Sequence, residues 1–348
     1  MKQNVRKVGV ITKRQKELIR KKRRKNRIML VITGIALAFS MFCILDMKAQ
    51  LKEMKSLLGE MEPGRQKPAG GMENVTASET ENKQKEKQKA IQEKDYMDGI
   101  PSVKVEKPRE YSREEAVEKL RELGENNSVV EKILNNSDLY PENMLAALAN
   151  NLEMTDFVAG YTDEGQGVAG GLTESEKEQD FPLFLQWDKR WGYHSYGSSI
   201  VGLTGCGPTC LSMVLYYLLR DETLTPDKIA DYAMDNGYWV EGSGTAWQLM
   251  DDVPAIYGLM VGNIQRTEEA MLAALERGSV LICSVGRGDF TVYGHFIVIY
   301  GYNEEGFLVN DPNCVDRSGR YWTFDQIGAQ IKNIWASALK GKNFSHKV

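Results

Sequence analysis

The run Ile28 to Leu45 (IMLVITGIALAFSMFCIL) holds 18 residues without a charge, and it restricts this chain more than any other feature. A helix of that length crosses most of a bilayer's hydrocarbon core, where backbone polar groups must be satisfied internally. Its flanks give it a direction. Residues 1–27 carry thirteen Lys and Arg against one acid, Glu17, and Asp46 follows the run. The positive-inside rule places such a basic head in the cytoplasm and the roughly 300 residues behind the run outside. A cleaved signal peptide is the competing reading, but no small-x-small site follows Leu45 and the basic leader is long. A single-pass anchor, 28–45, in contact with membrane lipid is therefore expected. Beyond residue 27 the chain holds 31 bases and 47 acids. A basic head on an acidic body could be a nucleic-acid-binding arm. The apolar run directly behind it argues against that, and no nucleic-acid partner is expected.

Past the run, Met47, Leu51, Met54, Leu58 and Met61 recur at alternating steps of four and three. This is a short a/d stripe that could pair two copies into a weak homodimer, or remain a juxtamembrane helix that frays alone. Residues 46–109 read as a stalk, since 62–109 are too polar to bury a core. From 110 to 158 apolar pairs return at helical spacing, and Ser112 with Glu115 has the spacing of a capping box. That predicts a small helical region of two or three short helices. A second polar linker, 159–180, follows. Five cysteines (Cys43, Cys206, Cys210, Cys283 and Cys314) show no paired framework. An exported protein of that kind suits a Gram-positive-type bacterial surface.

Residues 181–340 have globular composition and hold all six tryptophans. Periodicity predicts helices over 208–219, 225–236, 245–257, 267–277 and 324–333, and strands over 279–285, 295–300 and 306–310. Helices come first and neighbouring strands late, which argues for α+β with an antiparallel sheet.

Gly205-Cys206-Gly207-Pro208-Thr209 sets a cysteine at a glycine-flanked turn ahead of an apolar helical run. Pro208 suits the first turn, where a missing N–H costs nothing. Free backbone N–H groups and the positive end of the helix dipole then favour a thiolate at Cys206. The chain has three histidines, His194, His295 and His346. Only His295 opens a buried strand, behind Gly294, where a general base could sit. Asn310-Asp311-Pro312 closes the next strand. Antiparallel pairing brings the start of one strand beside the end of the other, so Asp311 can hold the imidazole's tautomer. Taken singly, His295 could be a core histidine and Asp311 a turn residue; together with Cys206 they form a candidate triad. Cys206 and Cys210 lie four apart with no second close pair, so no metal is expected, and no cofactor. Gly242-Ser243-Gly244-Thr245-Ala246-Trp247 reads as a loop into a helix start, either a rim of the cleft or an ordinary capped helix start.

Five motifs carry a resemblance: Gln186-Trp187-Asp188-Lys189-Arg190-Trp191-Gly192, Tyr196-Gly197, Gly205-Cys206-Gly207-Pro208-Thr209, Gly294-His295-Phe296-Ile297-Val298 and Asn310-Asp311-Pro312. Together they resemble the C39-like group of papain-fold cysteine peptidases over about residues 181–335. The resemblance implies Cys206 as nucleophile, His295 as base, Asp311 as orienting residue and Gln186 as oxyanion-hole donor. It implies a papain-like domain that acts on a peptide, a protein or a peptidoglycan peptide. The amino-terminal regions fall outside it. Two other readings stand beside the peptidase: a catalytically silent domain that binds peptides or wall material, and self-cleavage at Gly170-Gly171.

Overall fold

The computed structural model describes residues 99–125, 127–162 and 171–341, all within one compact unit, Val75–Val348. The run 28–45, the 47–61 stripe, Gly70-Gly71 and Gly170 lie outside the described residues. No helix among the described residues is long and apolar enough to cross a membrane.

The chain enters along an extended segment, 101–112, that reads by composition as the end of a stalk and yet is tied down. Val105 is buried, and the Asn150 side chain bonds both the N–H and the carbonyl of Arg109 at 2.8 and 2.9 Å. Helices α1 (Arg113–Leu123), α2 (Ser128–Asn135) and α3 (Glu142–Asn150) follow, as the spacing predicts. Ser112 and Glu115 do form a capping box on α1, which satisfies two otherwise orphaned N–H groups. A 3-10 turn, Leu152–Met154, and the short α4 (Thr155–Ala159) complete this region. Its apolar faces are too small to enclose a core alone. They close over Leu185 and Trp187 of the following domain, so one cluster runs from Ala116 and Leu120 to Trp187. The 159–180 linker contains the short α5 (Glu174–Glu178), with a Thr173–Glu176 capping box.

The rest is built on a six-stranded antiparallel sheet whose strands lie side by side in the order Met260–Asn263, Ile331–Ala338, Val280–Gly286, Gly294–Asn303, Gly306–Asn310 and Tyr321–Trp322. Before it come the two-residue strands β1 (Ser195–Tyr196) and β2 (Ser199–Ile200), then α6 (Val201–Thr204) and α7 (Cys206–Leu219). Next are α8 (Pro226–Asp235), the hairpin β3 (Trp239–Val240) and β4 (Gly244–Thr245), and α9 (Gln248–Ile256). The sheet and its remaining helices follow: β5 (Met260–Asn263), α10 (Glu268–Glu276), β6 (Val280–Gly286), β7 (Gly294–Asn303), β8 (Gly306–Asn310), α11 (Val315–Ser318), β9 (Tyr321–Trp322), α12 (Phe324–Ile327) and β10 (Ile331–Ala338). Every residue of β6 is buried, because helices cover both sheet faces. Val280 and Ile282 join Phe296, Val298 and the apolar side of α7 on one face. Leu281 and Cys283 join Ile297, Ile299 and Met271 of α10 on the other.

Two parts of the α+β expectation need correction. The helix expected over 324–333 stops at Ile327, and 331–338 is the strand β10, paired to both β5 and β6. Ile331, Ile334, Trp335 and Ala338 mimic a helical stripe, but the strand's place between two neighbours overrides that period. The helix expected from 245 begins at Gln248, because Gly244 and Thr245 pair back onto Val240 and Trp239. Strand β5 carries no alternation that would reveal it.

Candidate active site

Cys206 is the first residue of α7 and is partly buried. The turn before it is closed by the Gly205 N–H donating to the Val201 carbonyl at 2.7 Å. Thr209 caps the same turn from inside the helix, its hydroxyl donating to the Gly205 carbonyl at 2.8 Å. Gly207 is required by close approach: a Cβ there would come within 2.7 Å of the Thr245 hydroxyl. That hydroxyl shares a 2.8 Å hydrogen bond with the buried Tyr196. Burial pushes the Tyr196 phenol up to about 12, and the nearby Cys206 sulfur adds to the effect. The β3–β4 hairpin thus borders the cysteine turn, which is one of the two readings the 242–247 sequence allowed.

On the sheet side, Val298 of β7 lies opposite Asn310 of β8, so Asp311, just beyond β8, comes alongside His295. His295 Nε2 and Asp311 Oδ1 are 2.7 Å apart. The other ring nitrogen, Nδ1, is left for the Cys206 sulfur, which is close enough to share a side-chain hydrogen bond with the imidazole. Asp311 is fully buried and its oxygens are well supplied. Oδ1 also accepts from the Asn313 N–H at 2.9 Å, and Oδ2 accepts from Arg317 Nη1 at 2.9 Å. Arg317, on α11, is itself 1 % exposed.

These contacts set the charges. Burial alone would push the imidazole's pKa down, but the charges of Asp311 and Cys206 and their hydrogen bonds reverse this, and His295 stands well above an ordinary histidine. Burial would likewise raise Asp311, but His295 and Arg317 outweigh it and hold the carboxyl below its ordinary value. The result is a row of sulfur, imidazole, carboxylate and guanidinium that is buried from the imidazole inward.

Gln186 sits on the far side of the cysteine turn. Its backbone N–H donates to the Pro312 carbonyl at 2.7 Å, which ties it to the Asp311 loop. Its Nε2 donates one hydrogen to the Gly202 carbonyl at 3.0 Å, and Oε1 has no partner among the described residues. The motif behind it is fixed by Arg190, which pairs with Glu176 of α5 and with Asp188 in a buried network. Cys210, Cys283 and Cys314 are buried and free. His194 lies elsewhere, paired with Asp231 at 2.6 Å.

The structure therefore brings Cys206, His295 and Asp311 together and keeps Gln186 one short turn away through Gly202. Sequence reading missed Arg317. It lies six residues past Asp311, with no periodic signal to mark it.

A cysteine at a helix start, set against a sheet histidine, is an arrangement that cysteine nucleophile chemistry uses. Residues 178–342 match the family model described as the Peptidase C39 like family. The solved peptidase domain of Streptococcus ComA, a bi-functional ABC transporter involved in a quorum sensing pathway, is similar at 16% identity, covering 39% of this chain and 93% of that chain, with a TM-score of 0.30. No curated protein matches the chain.

Proposed function

We propose that the chain is a membrane-anchored, extracytoplasmic cysteine peptidase that hydrolyses amide bonds through Cys206, His295 and Asp311. The observation that carries this reading is the His295–Asp311–Arg317 row, which supports a protonated imidazole beside the Cys206 sulfur. In this mechanism the Cys206 thiolate attacks the amide carbon and the carbonyl oxygen becomes an oxyanion. The Cys206 backbone N–H and the second Gln186 amide hydrogen donate to it. His295 gives its Nδ1 proton to the leaving nitrogen, the C–N bond breaks, and a thioester remains. Water, relieved of a proton by His295, attacks the thioester and returns Cys206 with release of the acid. Asp311 keeps the ring in one orientation throughout, and Arg317 keeps Asp311 anionic. The anchor at 28–45 would hold this chemistry outside the cell, facing peptide, protein or wall-peptide substrates.

The test is digestion of a mixed peptide library by the soluble 99–348 protein, with products read by mass spectrometry. New termini that each gain one water, absent with Cys206→Ala, are expected. Gln186→Ala should keep KM and lower kcat by about 100-fold, the usual loss for one oxyanion donor. Peptides bound but never cut by the wild-type protein would overturn the peptidase reading in favour of a silent binding domain.

A further inference from the structure

The loop that carries Asp311 and Arg317 is gripped from outside the matched segment 178–342. After α3 the chain turns at Asn151-Leu152-Glu153, and both polar side chains of that turn are buried. Glu153 accepts the Val315 N–H at 2.7 Å on one carboxylate oxygen and the Asp316 N–H at 2.8 Å on the other. Asn151 donates to the Asn313 carbonyl at 2.7 Å and to Glu153 at 3.2 Å. Asn313 is the residue whose N–H reaches Asp311 Oδ1, and α11, which begins at Val315, carries the arginine that reaches Oδ2. Each of the two Asp311 oxygens is thus supported by backbone that the amino-terminal turn fixes. A carboxylate accepting from two successive N–H groups is a costly thing to bury without a purpose for its charge.

We infer that Glu153 is a positioning residue for the Cys206–His295–Asp311 row, and that the helical region 113–159 is part of the catalytic unit and not a spacer. The inference rests on the triad reading only for its kinetic consequence; the geometry it claims can be read separately. Glutamine at 153 keeps the size and one acceptor oxygen but presents an amide to one of the two N–H groups. That releases one end of the 313–317 segment, so Arg317 and the Asn313 N–H lose register with Asp311.

The experiment uses the intact chain in detergent, wild type against Glu153→Gln and the milder Asn151→Ala. Two signals are recorded. The first is the downfield proton resonance of the His295 ring N–H bonded to Asp311, together with amide exchange at Val315 and Asp316. The second is kcat and KM on a cleaved peptide, with the pH profile of Cys206 alkylation. Glu153→Gln should lose or shift the imidazole resonance and speed exchange at both amides at least tenfold. It should lower kcat tenfold or more at constant KM, and move the alkylation profile toward that of an ordinary thiol. Asn151→Ala should move every signal the same way by less. An unchanged imidazole resonance and alkylation profile in a folded Glu153→Gln protein would overturn the inference. So would a kcat loss that disappears on cooling well below the unfolding temperature, since that marks a purely structural role. An ordinary thiol profile in the wild type would count against the peptidase reading, while the resonance and the exchange rates would still decide the role of Glu153.

Discussion

Asp311 shows how much one carboxylate decides. It is fully buried and accepts from His295, Asn313 and Arg317. Its lowered pKa contributes stability that is present above the ordinary carboxylate value of about 3.9 and is lost as pH falls through the folded value. The raised pKa of His295 acts in the other direction. Its contribution is complete below the ordinary value of about 6.5 and is lost as pH rises through the folded value. The gap in Tm between wild type and Asp311→Asn should therefore be widest between about pH 4 and 6.5 and should narrow above that window. A gap independent of pH would mean that the two groups are not coupled in the folded protein. Arg317→Met leaves Asp311 with one charged partner in a dry site and should cost about 3–5 kcal/mol in urea unfolding. Loss of less than about 1 kcal/mol would show that the guanidinium is dispensable. At this scale the sequence was half legible. Cys206, His295 and Asp311 stand at an element start or end, where backbone signals mark them. Arg317 and Glu153 do not, because each owes its role to contacts that only the closed fold creates; Glu153 meets Val315 across 162 residues.

Elements were legible where one period dominated. Helix α7 was visible because glycine, proline and a long apolar run agree, and it ends where Arg220 takes a left-handed conformation with φ 56°. Strands β6 to β8 were visible as β-branched runs bounded by glycine. Strand β10 was not, since its buried positions fall at helical spacing, and β5 has three of four positions with little burial to pattern them. The joint between α7 and the β3–β4 hairpin makes its own prediction. Gly207→Ala would push Thr245 off Tyr196 and should destabilise the protein by about 1–3 kcal/mol. It should also slow alkylation of Cys206, whose turn would shift with it. Wild-type stability and reactivity in that variant would show that the approach of the hairpin has room to spare.

In the molecule as a whole, the matched domain does not stand by itself. The segment entering at 101–112 touches both ends of the site's framework: Val105 N–H reaches Asp316 at 3.2 Å, and Glu110 pairs at 2.7 Å with Arg287, in the loop that leads to His295. Sequence composition assigned its residues up to 109 to the stalk because they are polar; their attachment depends on hydrogen bonds to distant loops, which composition does not record. If 28–45 is the anchor, protease added to intact cells should remove the carboxyl-terminal domain, and deletion of residues 1–45 should move it to the soluble fraction. Protection of the domain in intact cells would contradict an outward orientation. The central claim, that Cys206 acts with His295 as an activated pair, is tested most directly by alkylation of Cys206 with iodoacetamide across pH in wild type and His295→Ala. The account predicts that His295→Ala is alkylated at least tenfold more slowly than the wild type at pH 6, because the sulfur has lost the imidazole beside it. Equal rates in the two proteins across the range would contradict it.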